Sequence, residues 1–144
     1  MGQVPREHVL NNQRPSLSER YKKREPAGSR RPGMSEDHLA LIRQLPSCVS
    51  GRVGPCDPHH IRSGPAAAER GVGQKATDRW TVPLLRFEHD ELHRLSSRLE
   101  MAWFRERGIA DVVELANALW LNTGDLERML KVLQAHIGRP MRGR

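Results

Sequence analysis

The sequence predicts a small α+β protein built on a β-hairpin that leads into a helix, with one helix before this core and additional helices after it. Three observations predict that architecture. Two short candidate hairpin arms, His59 to Arg62 and Trp80 to Leu85, flank a stretch rich in Gly and Ala. The segment from Phe87 to Arg107 carries Leu92, Leu95, Leu99 and Ala102 at intervals of three and four, the period of one helix face. Beyond it, Val112, Val113, Leu115, Leu119, Leu121, Leu126, Met129, Leu130 and Leu133 repeat the same spacing across 109–137.

Taken in order, residues 1–33 hold Pro5, Pro15, Pro26 and Pro32 with serines and basic residues but no apolar face, so they read as a disordered basic tail. Ser35 is placed to cap a short helix. Glu36 and Asp37 complement the dipole of its first turn, and Pro46 stops it. Gly51, Gly54, Pro55 and Pro58 break the following segment before the first arm at His59 to Arg62. Residues 63–77 read as a mobile loop, and Pro83 confines the second arm to an edge position. The helix over 87–107 is expected to end at Gly108, and two more are expected over 110–121 and 124–137, the last capped by Thr123 or Gly124. The organisation expected is a tail over 1–33, a core over 34–108 and a helical extension over 109–144.

The chain of 144 residues has 24 Lys and Arg against 17 Asp and Glu, a net charge of +7, and a pI near 10.4. That balance favours a polyanionic partner such as nucleic acid. No apolar run approaches the roughly 18–20 residues that span a bilayer, and the N-terminus lacks a secretory apolar stretch, so a cytoplasmic protein with no membrane partner is expected. Two cysteines, Cys48 and Cys56, are too few for a disulfide framework.

Four of the seven histidines fall into two close pairs, the adjacent His59 and His60 and the i, i+4 pair His89 and His93. Residues four apart on a helix stand one above the other, so two imidazoles at that spacing can share a metal ion. Glu88, Asp90 and Glu91 would attract a cation there or simply complement the helix dipole. His8, His38 and His136 have no partners nearby in sequence and are expected to be exposed, whereas Trp80, Trp103 and Trp120 are expected in the core.

The stretches PCDPHHIRSG (55–64) and GVGQKATDRWTVPLLRFEHDELH (71–93) resemble the HNH endonuclease superfamily, whose core is the ββα-metal or His-Me finger. They are most similar to the small phage and prophage HNH proteins that include the Ref-like recombination nucleases. The resemblance implies a metal-dependent endonuclease that hydrolyses DNA phosphodiester bonds, leaving a 5′ phosphate and a 3′ hydroxyl. It makes His60 the general base, His59, His89 and His93 the ligands of a divalent ion (Mg²⁺ or Mn²⁺, with Zn²⁺ as a third candidate), and DNA the partner, with a recombinase filament as a further one. Arg62, Lys75 and Arg79 are candidate contacts to the DNA backbone.

The chain departs from the family pattern in two places. No Asn stands between Trp80 and Leu85 to orient the base, and Asp78 is the candidate for that role, ahead of Gln74 and Thr81. Leu85 and Glu88 occupy the places of a second cysteine pair, so Cys48 and Cys56 alone cannot close a tetrahedral zinc site and read as a remnant held by packing. Neighbours on a regular strand also point to opposite faces, so His59 and His60 reach one site only if the strand bends or ends there. Two other classes of function stay open: a non-catalytic DNA-binding recombination accessory protein with a degenerate site, and a helical module that binds a protein partner through 109–137.

Overall fold

The computed structural model describes residues 29–31, 33–69 and 77–137. Most of the expected basic tail and the segment 70–76, with Gln74 and Lys75, lie outside the described residues, as does His8. The fold is α+β. Strands β1 (Ser29–Arg31) and β2 (Met34–Ser35) form a small hairpin, followed by helix α1 (Glu36–Gln44), strand β3 (Asp57–His60), helix α2 (Pro65–Glu69) and strand β4 (Thr81–Leu84). Helices α3 (Arg86–His93), α4 (Glu100–Glu106), α5 (Val112–Leu121) and α6 (Leu126–Ile137) complete the chain. No helix among the described residues is long and apolar enough to cross a membrane.

Strands β3 and β4 are antiparallel, with Asp57 opposite Leu84, Pro58 opposite Pro83, His59 opposite Val82 and His60 opposite Thr81. Placing the two prolines opposite each other puts the missing donors at one rung, which a two-stranded sheet tolerates because both of its strands are edges. The neighbouring loop uses what remains, since the Cys48 N–H donates to the Pro83 carbonyl at 3.0 Å. Helix α1 packs across both strands, and α5 packs on β4 from the C-terminal side. Ile42, Ile61, Val82, Leu84, Leu92 and Phe104 meet in the centre, each fully buried. Burial on that scale stabilises by about 1.5–3 kcal/mol per large side chain.

Local signals explain most boundaries. The Ser35 side chain accepts from the His38 N–H at 3.1 Å and caps α1. Asp111 caps α5 by accepting from the Glu114 N–H at 3.0 Å. For α6 the cap is Asp125, whose carboxylate accepts from the Arg128 N–H at 3.1 Å, and neither Thr123 nor Gly124 serves. Gly108 takes φ 95° immediately after the cap of α4. The Ile109 N–H donates to the Phe104 carbonyl and the Gly108 N–H to that of Arg105, the paired bonds of a Schellman ending. At Gly33, φ is 80° and a Cβ would come within 2.7 Å of Thr77, so a side chain there is excluded twice.

The single helix expected over 87–107 is two helices. Helix α3 ends at His93, a one-turn 3₁₀ segment spans Ser97–Leu99, and α4 restarts at Glu100. Ser96 and Ser97 are poor helix interiors. The carbonyls of Leu92 and Leu95 instead accept from the Arg62 guanidinium, each at 3.2 Å. The break resets the helical phase: Leu92 stays buried, Leu99 becomes 46% exposed, and Glu100, Trp103 and Phe104 turn inward.

Candidate metal centre

Strand β3 and helix α3 bring His59, His89 and His93 together. One ligand atom from each of the three imidazoles lies within 4.8 Å of the other two, so one ion could touch all three. The rings stand 5.4 Å (His59 to His89), 5.7 Å (His59 to His93) and 4.3 Å (His89 to His93) apart between centroids. The i, i+4 spacing on α3 stacks two of them, and the pleat of β3 aims the third at that pair.

Hydrogen bonding around His59 decides which of its nitrogens is available. The Nε2–H donates to Glu100 Oε2 at 2.7 Å, with both side chains fully buried. A carboxylate only accepts, so the proton sits on Nε2 and the lone pair on Nδ1. Among the described residues that buried Nδ1 has no hydrogen-bond partner, and neither has the buried Nδ1 of His89. Buried polar atoms are normally bonded, and two unbonded imidazole nitrogens in one three-histidine cluster fit a cation as their missing partner.

Electrostatics favour the neutral, ligating form of both rings. Burial pushes the His59 imidazole below its usual pKa, against the opposing pull of Glu100. Burial and the neighbouring His59 and His93 lower His89 to about 4, with Asp57 opposing. Burial alone would raise the Glu100 carboxyl, yet hydrogen bonds from His59 and Ser63 hold it below the usual carboxylate range. An anionic Glu100 carboxylate thus supports a neutral His59 ring, with a neutral His89 beside it, the form in which imidazole binds a metal.

His60 is the last residue of β3, where the strand ends, and it stays outside this trio. Its Nε2 lies 2.9 Å from Asp78 Oδ1, with the imidazole 37% exposed and the carboxylate buried. Asp78 is fixed in turn, since its Oδ2 accepts from the Ser35 N–H at 2.9 Å and its own N–H donates to the Gly33 carbonyl at 2.6 Å. The sequence-predicted pairing of Asp78 with a histidine is thus present, and it is His60 that it holds.

Several expectations need correction. Arg79 is buried, with its guanidinium carbon 5.9 Å from the rings of both Trp80 and Trp120, so it packs in the interior and cannot meet a DNA backbone. Arg62, with its side chain 20% exposed, donates to the carbonyls that end α3 and stands 3.6 Å through Nε from Glu100, so part of its guanidinium is engaged within the fold. His38, expected at the surface, is fully buried. Its Nδ1 meets Thr123 Oγ1 at 2.7 Å and its Nε2 meets Thr81 Oγ1 at 3.2 Å. His136 is half-buried against the Val132 carbonyl. Glu100, which supports His59, is not legible in the sequence, because a continuous helix over 87–107 puts it in a helix interior and its bond to His59 spans 41 positions.

Cys48 and Cys56 are both buried and are not joined in a disulfide. Burial, with the charges of Glu88 and Asp57, raises the Cys56 thiol to about 12. Glu88, in the place of a second cysteine pair, accepts from the Ser47 hydroxyl at 2.6 Å and from the Leu85 N–H at 2.8 Å. That reach-back from the first turn of α3 holds the 47–56 loop against the helix that carries His89 and His93.

Fold and site define an α+β protein whose hairpin and helix present a three-histidine cluster of metal-binding geometry. Residues 23–113, more than half of the chain, match the family described as "Protein of unknown function (DUF968)", and the chain belongs to that family. No curated protein matches the chain, and no solved structure does either.

Proposed function

We propose that this protein is a divalent-metal-dependent endonuclease of the HNH type, acting on DNA in the cytoplasm, with an origin in phage or prophage and a link to DNA recombination. The observation that carries the reading is the convergence of His59, His89 and His93, with two buried nitrogens that lack a hydrogen-bond partner among the described residues. When bound there, Mg²⁺, Mn²⁺ or Zn²⁺ supplies Lewis-acid stabilisation of the scissile phosphate and of the departing 3′ oxygen.

The chain's own groups supply the rest. His60 bonds Asp78 through Nε2, so Nδ1 is its basic nitrogen, and its partial exposure lets water reach it. It takes a proton from the water that attacks phosphorus, the P–O3′ bond breaks, and the departing 3′ oxygen takes a proton from solvent, which leaves a 5′ phosphate and a 3′ hydroxyl. Asp78 orients the ring and stabilises the imidazolium that forms, the place the missing Asn leaves open. The net charge of +7 draws the polyanion to the protein. A recombinase filament is a candidate source of substrate.

The test is cleavage of supercoiled plasmid by purified protein with Mg²⁺, Mn²⁺ or Zn²⁺. The reading expects nicking or cutting with at least one of them, abolished by EDTA. DNA binding without cleavage under every metal would overturn it and favour the accessory-protein alternative.

A further inference from the structure

We infer that Glu100 is a positioning residue that sets the tautomer of His59 and thereby turns the Nδ1 lone pair toward the ion, an inference that rests on the three-histidine cluster being a metal centre. Glu100 is the first residue of α4 and is fully buried, yet it touches the site from seven residues beyond His93. Its two oxygens divide the work. Oε2 accepts from His59 Nε2–H at 2.7 Å, while Oε1 accepts from the Arg62 N–H at 2.9 Å and from the Ser63 hydroxyl at 2.6 Å. One carboxylate thus gathers the end of β3 and the turn after it, and the break between α3 and α4 is what swings it inward.

A carboxylate has no proton to give, so the imidazole must donate at Nε2. An amide does not impose that choice. In Glu100→Gln, two donors, the Arg62 N–H and the Ser63 hydroxyl, hold the amide oxygen on the Oε1 side, and the NH₂ then faces His59 Nε2. That nitrogen must accept, the ring proton moves to Nδ1, and the lone pair needed by a cation is lost. A buried acid that merely filled space would have no such effect on the ring.

The experiment reads the tautomer directly, with the full chain labelled with ¹⁵N-histidine, free of metal, and followed by long-range ¹H–¹⁵N correlation. Wild type is expected to show His59 protonated at Nε2 and bare at Nδ1, and Glu100→Gln the reverse. Zinc titrated alone by calorimetry is expected to bind Glu100→Gln about 10–100-fold more weakly, the usual cost of losing a group that supports a ligand. Ser63→Ala, which takes one partner from Oε1 and leaves His59 untouched, is expected to keep the wild-type tautomer and an affinity within about threefold. Wild-type His59 protonated at Nδ1 overturns the inference even if Glu100→Gln fails to fold, and so does a folded Glu100→Gln with unchanged tautomer and affinity. Ser63→Ala that loses as much affinity as Glu100→Gln also overturns it. Absence of zinc binding by wild type would refute the metal-centre reading instead, while the tautomer still decides what Glu100 does.

Discussion

His38 and His59 are both fully buried histidines, and the difference between them separates a structural imidazole from a ligand. Around His38 both ring nitrogens have a hydrogen-bonding partner: Thr123 Oγ1 sits at Nδ1 and Thr81 Oγ1 at Nε2, and Trp120 packs edge-on at 4.9 Å. The Thr81 hydroxyl also donates to the Asp78 carbonyl at 2.8 Å and the Thr123 hydroxyl to the Trp120 carbonyl at 2.7 Å, so each joins the imidazole to a backbone carbonyl. That chain ties α1 to the turn that carries Asp78 and to the α5–α6 connection. Around His59 the carboxylate of Glu100 satisfies one nitrogen, and no group among the described residues satisfies the other. Burial lowers both pKa values, so burial alone does not mark a functional histidine. The unmet nitrogen does.

The largest effect that would break this comparison comes from the ligand trio. His89→Ala or His93→Ala is expected to weaken zinc binding by more than about 100-fold, the upper end of what a supporting residue costs, and to abolish plasmid cleavage; retained affinity would mean that the cluster does not share an ion. The base comes next. His60→Ala is expected to keep wild-type zinc affinity and to lose about 10²–10⁴-fold in cleavage rate, measured as single-turnover nicking. A matching loss of metal affinity would place His60 in the ligand set.

Acid sharpens the other side. His38 is held at about 4, by burial first, with Asp78 opposing and His60 assisting. Its folded pKa lies below its unfolded value, so the unfolded chain takes up the proton first and stability is complete above about pH 6.5. It falls as pH drops toward 4, by about 3 kcal/mol in all at 1.36 kcal/mol per unit. Urea melts between pH 7 and 4 are expected to show that decline, with a shallower one in His38→Gln; identical slopes would remove His38 from the account. Thr123→Val is the smallest change and leaves His38 Nδ1 without its hydrogen-bonding partner. It is expected to cost about 1–3 kcal/mol with zinc affinity unchanged, as read from the same melts and from calorimetry.

The features legible in the sequence are those that neighbours in the chain decide. Ser35 announces its helix because a cap acts over three residues, and Gly108 announces an ending because only one backbone position needs φ above zero there. His89 and His93 are legible as a pair for the same reason. What escaped the sequence depends on partners far along the chain. His38 is bonded across 85 and 43 positions, and Glu100 meets His59 across 41. The break after His93 is stabilised by Arg62 from 30 positions away, so the apolar spacing of Leu92, Leu95 and Leu99 suggested a continuous face that tertiary bonding overrode. Arg79 misled because a cation next to a tryptophan reads as surface charge until two indoles are found to enclose it.

The most direct measurement is cobalt titration of the full chain, followed by visible absorption. The account predicts saturation at one ion per chain with a ligand-field spectrum of nitrogen-rich coordination, lost in the His89→Ala protein while its circular dichroism stays native. A folded wild-type protein that takes up no cobalt, or a His89→Ala protein with an unchanged spectrum, would contradict it.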